Sequence, residues 1–292
     1  MHMGLGIFNS LRTAYASLNP EQVRQMAERP VTIELVADTV EAYAEMEAYF
    51  IPAITSAEDR ASGLLRMRRA SNPERPEAAD LTIYEEGVPC PKDAFTFHRD
   101  HPELTVEEIV DARSELEIPL ARNFLAFRQP VVHRIINRVA RENALFTVFT
   151  AMPNIIPSIF EIPWALGEYA TDSAFLTVNQ IRMTFLIGAA SGRPVGLGEQ
   201  KAAILGIVGS AFGWRALARE LVGKIPLGGG LLPKAAIAWA GTFVVGRGVE
   251  QVYLTGDRIR RNEHKELYER ALTRGKEVAA SILSTVRKPS AA

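Results

Sequence analysis

Residues 143–252 string together apolar helical segments that are rich in small side chains and nearly free of groups that do chemistry. Residues 143–160 carry no charge at all, yet Pro153 and Pro157 interrupt them. Residues 201–214 and 234–246 are similarly apolar, with a small residue recurring every four positions. In the first, Ala202, Gly206 and Ser210 fall on one stripe, and Gly209 and Gly213 continue an adjacent one; in the second, Ala238, Thr242 and Gly246 do the same. Small residues four apart let two helix backbones approach closely. Glycine inside a water-exposed helix costs about 1 kcal/mol against alanine, so several together want a packing reason. The pattern predicts close-packed helices that touch or enter a lipid surface. No stretch reaches the ~20 uninterrupted apolar residues that a bilayer crossing needs. Two readings stay open: a soluble or peripheral bundle, and a spanning or re-entrant one.

The rest of the chain restrains that expectation. Across 292 residues, 47% are hydrophobic and 23% charged, values ordinary for a water-soluble protein. With 33 basic against 34 acidic residues the chain lacks the dominant basic surface of a nucleic-acid binder. Cys90 is the only cysteine, so no internal disulfide and no four-cysteine zinc site can form, and a reducing cytoplasm is the natural setting. The first residues, Met1 to Phe8, lack the basic and long apolar regions of a secretory signal.

The two halves differ, and the fold class expected is α+β: a small N-terminal α/β domain followed by an all-α bundle with Gly/Ala-rich helices. Residues 1–30 read as a helical arm. Residues 31–36 are rich in β-formers and read as a strand, with 64–68 and 81–85 as further strands. Asp38 is placed to cap a helix that runs to Phe50 before Pro52. The α/β domain ends near 104, and residues 105–142 form connecting helices. Thr105 and Glu108 have capping-box spacing and open a helix toward Leu116, while Pro119 and Pro130 break the segment that follows. The bundle covers 143–257. Asp172 or Ser173 caps a helix to about Ala190, with Gly192 as its stop and Pro194 beyond. Further helices cover 199–222 and 232–254, the latter ended by Gly256, and residues 258–292 form a charged amphipathic tail.

Tests for particular chemistries mostly fail. A phosphate loop needs Gly-x4-Gly-Lys-[Ser/Thr], but Gly223-Lys224 has Ala218 upstream and Ile225 in the hydroxyl position. Gly275-Lys276 has Arg270 and Glu277 in those places. Gly196-x-Gly198 follows no strand and has Lys201 in place of a third glycine, which rejects a dinucleotide fingerprint. His98, Asp100, His101 and Glu103 are ligand types, but no second His pair completes a metal site. No cofactor, metal or catalytic residue is therefore assigned. Glu161, Glu168, Asp172 and Arg182 are charges in apolar surroundings; pairing or capping is the usual solution for such groups. Asp172 reads as a cap and Glu161 or Glu168 as the partner of Arg182. Asn179 and Gln180 read as helix polar surface or as an interhelical hydrogen-bonding set. Trp164, Trp214 and Trp239 suit a lipid interface or core packing. Arg215, Arg219, Lys224 and Lys234 flank the apolar runs, where anionic head groups would meet them.

The run Lys224-Ile225-Pro226-Leu227-Gly228-Gly229-Gly230-Leu231-Leu232-Pro233-Lys234-Ala235-Ala236-Ile237-Ala238-Trp239-Ala240-Gly241-Thr242 is similar to the signature of the DUF697 family, and Thr177 to Met183 and Phe212-Gly213-Trp214 also look like its helices. That family is a helical domain of bacterial inner-membrane proteins and of chains that carry small GTPase domains. The resemblance covers roughly residues 122–257. It implies a setting at the cytoplasmic membrane and a small GTPase as partner or neighbour, and it implies no reaction. This chain carries no recognisable GTPase domain of its own. The expected function is a non-enzymatic, membrane-associated scaffold or accessory protein on the cytoplasmic side of the inner membrane, peripheral or partly inserted. The alternative is a soluble helical protein that encloses an apolar ligand such as a lipid or quinone.

Overall fold

In the computed structural model the described residues are 19–70, 79–150, 172–196, 198–206, 230–256 and 261–287. They show an α+β layout, with a small parallel sheet near the N-terminus followed by helices. Contacts divide the chain into two units. One contains residues 23–134 and 188–193; the other contains 1–22, 135–187 and 194–292.

The first unit holds a sheet of β1 (Ile33–Val36), β2 (Met67–Arg69), β3 (Leu81–Glu85) and β4 (Phe95–Phe97), in the order β2-β1-β3-β4. Every pairing is parallel. Central strands of parallel sheets are covered on both faces and read as unbroken apolar runs; all four residues of β1 are buried. The exception in β1, Glu34, sits beside Arg68 of the neighbouring strand at 3.5 Å. Parallel neighbours need a crossover, and α2 (Val40–Phe50) and α3 (Ala57–Arg66) supply the one from β1 to β2, with α1 (Pro20–Glu28) preceding β1. Beyond β4 come α4 (Pro102–Ala112), a short 3-10 turn (Ser114–Leu116) and α5 (Glu117–Asn123). Phe50 anchors the core, stacked on Phe127 at 5.6 Å and edge-on to Phe97 at 6.0 Å.

Several local expectations are corrected. Residues 64–66 close helix α3, which Ser56 caps at its start by accepting the Asp59 amide at 3.1 Å, and only 67–69 are extended. Thr39, not Asp38, caps α2. The capping box at Thr105 does not form: α4 starts at Pro102, whose ring suits a first helical position. The Thr105 hydroxyl instead accepts from the His98 amide and donates to the Thr96 carbonyl, tying α4 to the end of β4. Pro119 and Pro130 break nothing. Pro119 lies in the first turn of α5, where no amide is needed, and Pro130 lies inside α6 (Leu125–Thr150), a continuous helix.

The second unit is helical: the later part of α6, most of α7 (Asp172–Ala190), then α8 (Leu231–Leu254) and α9 (Arg261–Arg287). Gly192 stops α7 at φ +72°, and the Arg193 and Gly192 amides return to the Gly188 and Ala189 carbonyls, a Schellman closure. Gly256 ends α8 at φ +80°. The few residues between α8 and α9 force an antiparallel hairpin. Its core contains Ala235, Ala236, Trp239, Ala240 and Val244 of α8, with Tyr268, Ala271, Ala279, Ile282 and Leu283 of α9; Ala140, Ala144 and Val148 of α6 join it. Trp239 is a core residue, stacked on Phe243 at 4.9 Å.

The stripe Ala238, Thr242, Gly246 is also buried. A Cβ at Gly246 would stand 2.8 Å from Ile136 of α6 and 3.0 Å from the Met183 sulfur of α7. Helix α8 thus packs against three helices. Of residues 234–246, expected to turn hydrocarbon toward acyl chains, the small-residue stripe meets protein instead, whereas Ile237, Gly241 and Val245 stay partly exposed. Among the described residues no helix is long and apolar enough to cross a membrane.

Two predictions follow from this packing. At Gly275 an added Cβ would stand 2.6 Å from the Ala236 carbonyl oxygen, whereas at Gly241 nothing among the described residues lies within 4 Å. Gly275→Ala should destabilise the protein by about 1–3 kcal/mol, and Gly241→Ala should stabilise it by up to about 1 kcal/mol; urea unfolding of both variants measures the contrast. Burial pushes the Tyr268 phenol up to about 12. The folded form then holds its proton where the unfolded form loses it, so stability is constant below pH ~10 and falls by about 2–3 kcal/mol as pH rises through ~12. Tyr268→Phe should remove that component of an alkaline stability profile.

Candidate functional site

A hydrogen-bonded set of polar side chains lies inside the helical unit, where three apolar helices meet. Glu142 and Asn143 come from α6, Asn179, Gln180 and Arg182 from α7, and Thr242 from α8. On α7 the i, i+3 spacing puts Asn179 and Arg182 on one face. On α6, Asn143 continues the stripe of Ile136, Val139 and Ala140, so it is carried into the core with them.

The geometry is nearly closed, with Arg182 Nε buried and lacking a hydrogen-bond partner among the described residues. Arg182 Nη1 donates to Glu142 Oε2 and to Asn179 Oδ1, both at 2.8 Å, and Nη2 donates to Glu142 Oε1 at 3.4 Å. Asn179 Nδ2 donates to Asn143 Oδ1 at 2.8 Å and to Glu142 Oε2 at 3.3 Å. Asn143 Nδ2 donates to Thr242 Oγ1 at 2.7 Å, and Gln180 Nε2 reaches the same hydroxyl at 3.3 Å. Each asparagine has its oxygen accepting and its nitrogen donating, which fixes the orientation of both amides. Arg182 is 2% exposed, Asn143 0%, Asn179 3% and Thr242 1%, and the Glu142 side chain is 12% exposed.

Burying a carboxylate and a guanidinium is costly unless they pair and their remaining valences are met. Here the carboxylate is engaged by a guanidinium and an amide, and neither Asn nor Thr is activated by a neighbouring base. The arrangement can hold three helices in one register; it offers no nucleophile poised over a space for substrate. A ligand pocket shaped by Gly246 is likewise filled, by Ile136 and Met183.

The structure brings Asn179, Gln180, Arg182 and Thr242 together. Arg182 pairs with Glu142, a partner that the sequence reading did not name; Glu161 and Glu168, the partners expected, lie outside the described residues. Asp172 is the first residue of α7. Gly246 lies against Ile136 and Met183, and Ala238 is buried. Gly206 is exposed, with nothing within 4 Å of a Cβ position among the described residues. Ser210 and Gly213 are outside the described residues. Sequence reasoning missed Glu142 and Asn143, for which the available signal was a polar residue on an otherwise apolar α6 stripe. It also missed Gln200, whose amide donates to the Thr184 carbonyl and to the Tyr253 hydroxyl, each at 2.8 Å, and so ties the turn before residues 201–206 to α7 and α8.

The histidine-rich connector forms separate pairs: His98 Nε2 lies 3.3 Å from Glu108, and His101 Nδ1 lies 3.1 Å from Glu103. A hydrogen bond to its own backbone and the His101 contact hold the Glu103 carboxyl below the usual range. Among the described residues no three His, Cys, Asp or Glu side chains converge as a metal requires.

No protein-family model matches the chain, and no curated protein or solved structure is significantly similar to it.

The buried pair yields a double-mutant test. Arg182→Met alone leaves the Glu142 carboxylate without its cation and should cost about 3–5 kcal/mol. Adding Glu142→Leu should restore most of that loss, leaving the double variant within about 1–2 kcal/mol of the parent. Denaturant midpoints of the parent, both single variants and the double variant measure it; a double-variant cost equal to the sum of the two single costs would mean that the pair is not coupled.

Proposed function

We propose that this protein is a non-enzymatic scaffold or accessory protein attached to the cytoplasmic face of a membrane, with a small GTPase as its working partner. The observation that carries the non-catalytic part is the nearly closed polar set around Arg182. Among the described residues of the helical unit, Glu142, Asn143, Asn179, Arg182 and Thr242 bind one another between α6, α7 and α8. Membrane and GTPase rest on the likeness of residues 122–257 to DUF697, whose described signature residues, Gly230 to Thr242, form the first turns of α8 and their lead-in. Surface attachment agrees with helices that are not long and apolar enough to cross among the described residues.

Cell fractionation tests the reading. The protein should sediment with membranes, withstand a salt wash and be released by detergent. Full recovery in the detergent-free supernatant would overturn the membrane part of the proposal.

A further inference from the structure

Helix α3 is built inside out. Around its axis, Asp59, Ser62, Gly63 and Arg66 fall on one side, and Ala57, Ala61, Leu64 and Leu65 fall on the other. The polar side is laid against the protein at Gly63, with Ser62 and Arg66 half-buried and Asp59 exposed at its start. Gly63 is the helix's one buried residue; a Cβ there would stand 2.9 Å from Ile51 and 3.5 Å from the Asn123 carbonyl oxygen. The apolar side faces out, with Leu65 88% exposed and Leu64 46%, and Ile54 in the preceding turn is 86% exposed. An amphipathic helix on a globular domain ordinarily does the reverse.

The same region gathers arginines. Arg122 ends α5 next to Asn123, which Gly63 abuts. Arg128 of α6 reaches back to the Ala121 and Arg122 carbonyls at 3.4 Å, and its Nη2 lies 3.8 Å from the Cβ position of Gly192, beside Arg193. Burial first, and then the charges of Arg193 and Arg122, lower the proton affinity of Arg128, while Asp59 opposes them. Arg60 stands exposed on the flank of the apolar stripe. Glu58 and Asp59 are exposed acids of the same helix, set against Arg60, Arg122, Arg128 and Arg193, so the surroundings carry a basic excess.

We propose that Ile54, Leu64 and Leu65 insert into an anionic lipid surface while Arg60, Arg122 and Arg193 meet its headgroup phosphates. Neither signal is enough alone: a few apolar side chains give marginal, reversible binding, and so does a small basic patch. Together they suit a bilayer, whose interface is apolar below and negative at the rim. Three side chains on a convex helix cover far less than the ~800 Å² per partner of a stable protein interface, which disfavours a protein occupant. The assignment rests on the membrane reading above and gives it a location.

The test is flotation of the full-length chain with vesicles of phosphatidylcholine alone, or of phosphatidylcholine with phosphatidylglycerol. The parent should float with the anionic vesicles and only weakly with the neutral ones. Ile54→Ser with Leu65→Ser, and separately Arg60→Gln with Arg122→Gln, should each weaken that partition by about tenfold or more, with unchanged thermal melting showing that they fold. Variants that float like the parent overturn this face and leave membrane attachment standing. Equal binding to both vesicle types overturns the role of the arginine rim. A parent that floats with neither overturns the membrane reading itself. If the serine variant converts a dimer into a monomer and leaves flotation unchanged, the face belongs to a second copy and the lipid assignment fails.

Discussion

The ion pair between Arg182 and Glu142 is the constraint around which the helical unit is arranged. Apolar packing is strong but non-directional, and faces rich in alanine and glycine fit one another in more than one register. Hydrogen bonds do not. Once Arg182 binds Glu142 and Asn179, the amide of Asn179 fixes Asn143, and Asn143 selects the turn of α8 that carries Thr242. A one-turn slip of α8 would strand the Asn143 donor in a region without water, at a cost of about 1–3 kcal/mol. Register is thereby bound to charge pairing, and the small residues at Ala238 and Gly246 give the backbone proximity that lets such short bonds form.

What was legible in the sequence was mostly punctuation. Gly192 and Gly256 mark the ends of α7 and α8, since only glycine takes φ near +72° or +80° freely. The apolar runs show helices, and β-branched and aliphatic residues show β1 and β3. What misled was local chemistry that a distant contact outweighs. Thr105 looks like the cap of its own helix, but the backbone of β4 arrives close enough to claim its hydroxyl. Pro130 looks like a break, and as the sixth residue of α6 it does forfeit the amide hydrogen bond to the Ala126 carbonyl, but Val131, Val132 and Ile135 bury on the next turn and hold the helix continuous.

The polar set was half legible, for a reason of the same kind. Asn179 and Arg182 share one helix and one face, so spacing shows them as a pair. Glu142 stands forty positions away in a segment whose basic residues give it an ordinary amphipathic look, and nothing local says that it turns inward. Charge balance alone offered Glu161 and Glu168, which are nearer in sequence. Proximity along a chain is a poor guide where helices of ~25 residues bring distant turns together.

Apolar content proved a poor guide to what faces outward. Helix α8, the most hydrophobic in the described chain, packs on α6, α7 and α9 and leaves the stripe of Ile237, Gly241 and Val245 partly open among the described residues. Helix α3, polar on average, carries Leu65, the most exposed large hydrophobic side chain among the described residues. The difference lies in what each helix can bury. Glycine at position 63 is the only contact small enough to let α3 lie on Ile51 and Asn123, and a leucine at that point would lift the helix away. With Gly63 facing inward, the 3.6-residue period turns Leu64 and Leu65 away from the protein. Their exposure is thus a geometric consequence of the residue that docks the helix, and a surface kept apolar by such a constraint is where a partner of matching chemistry is to be sought.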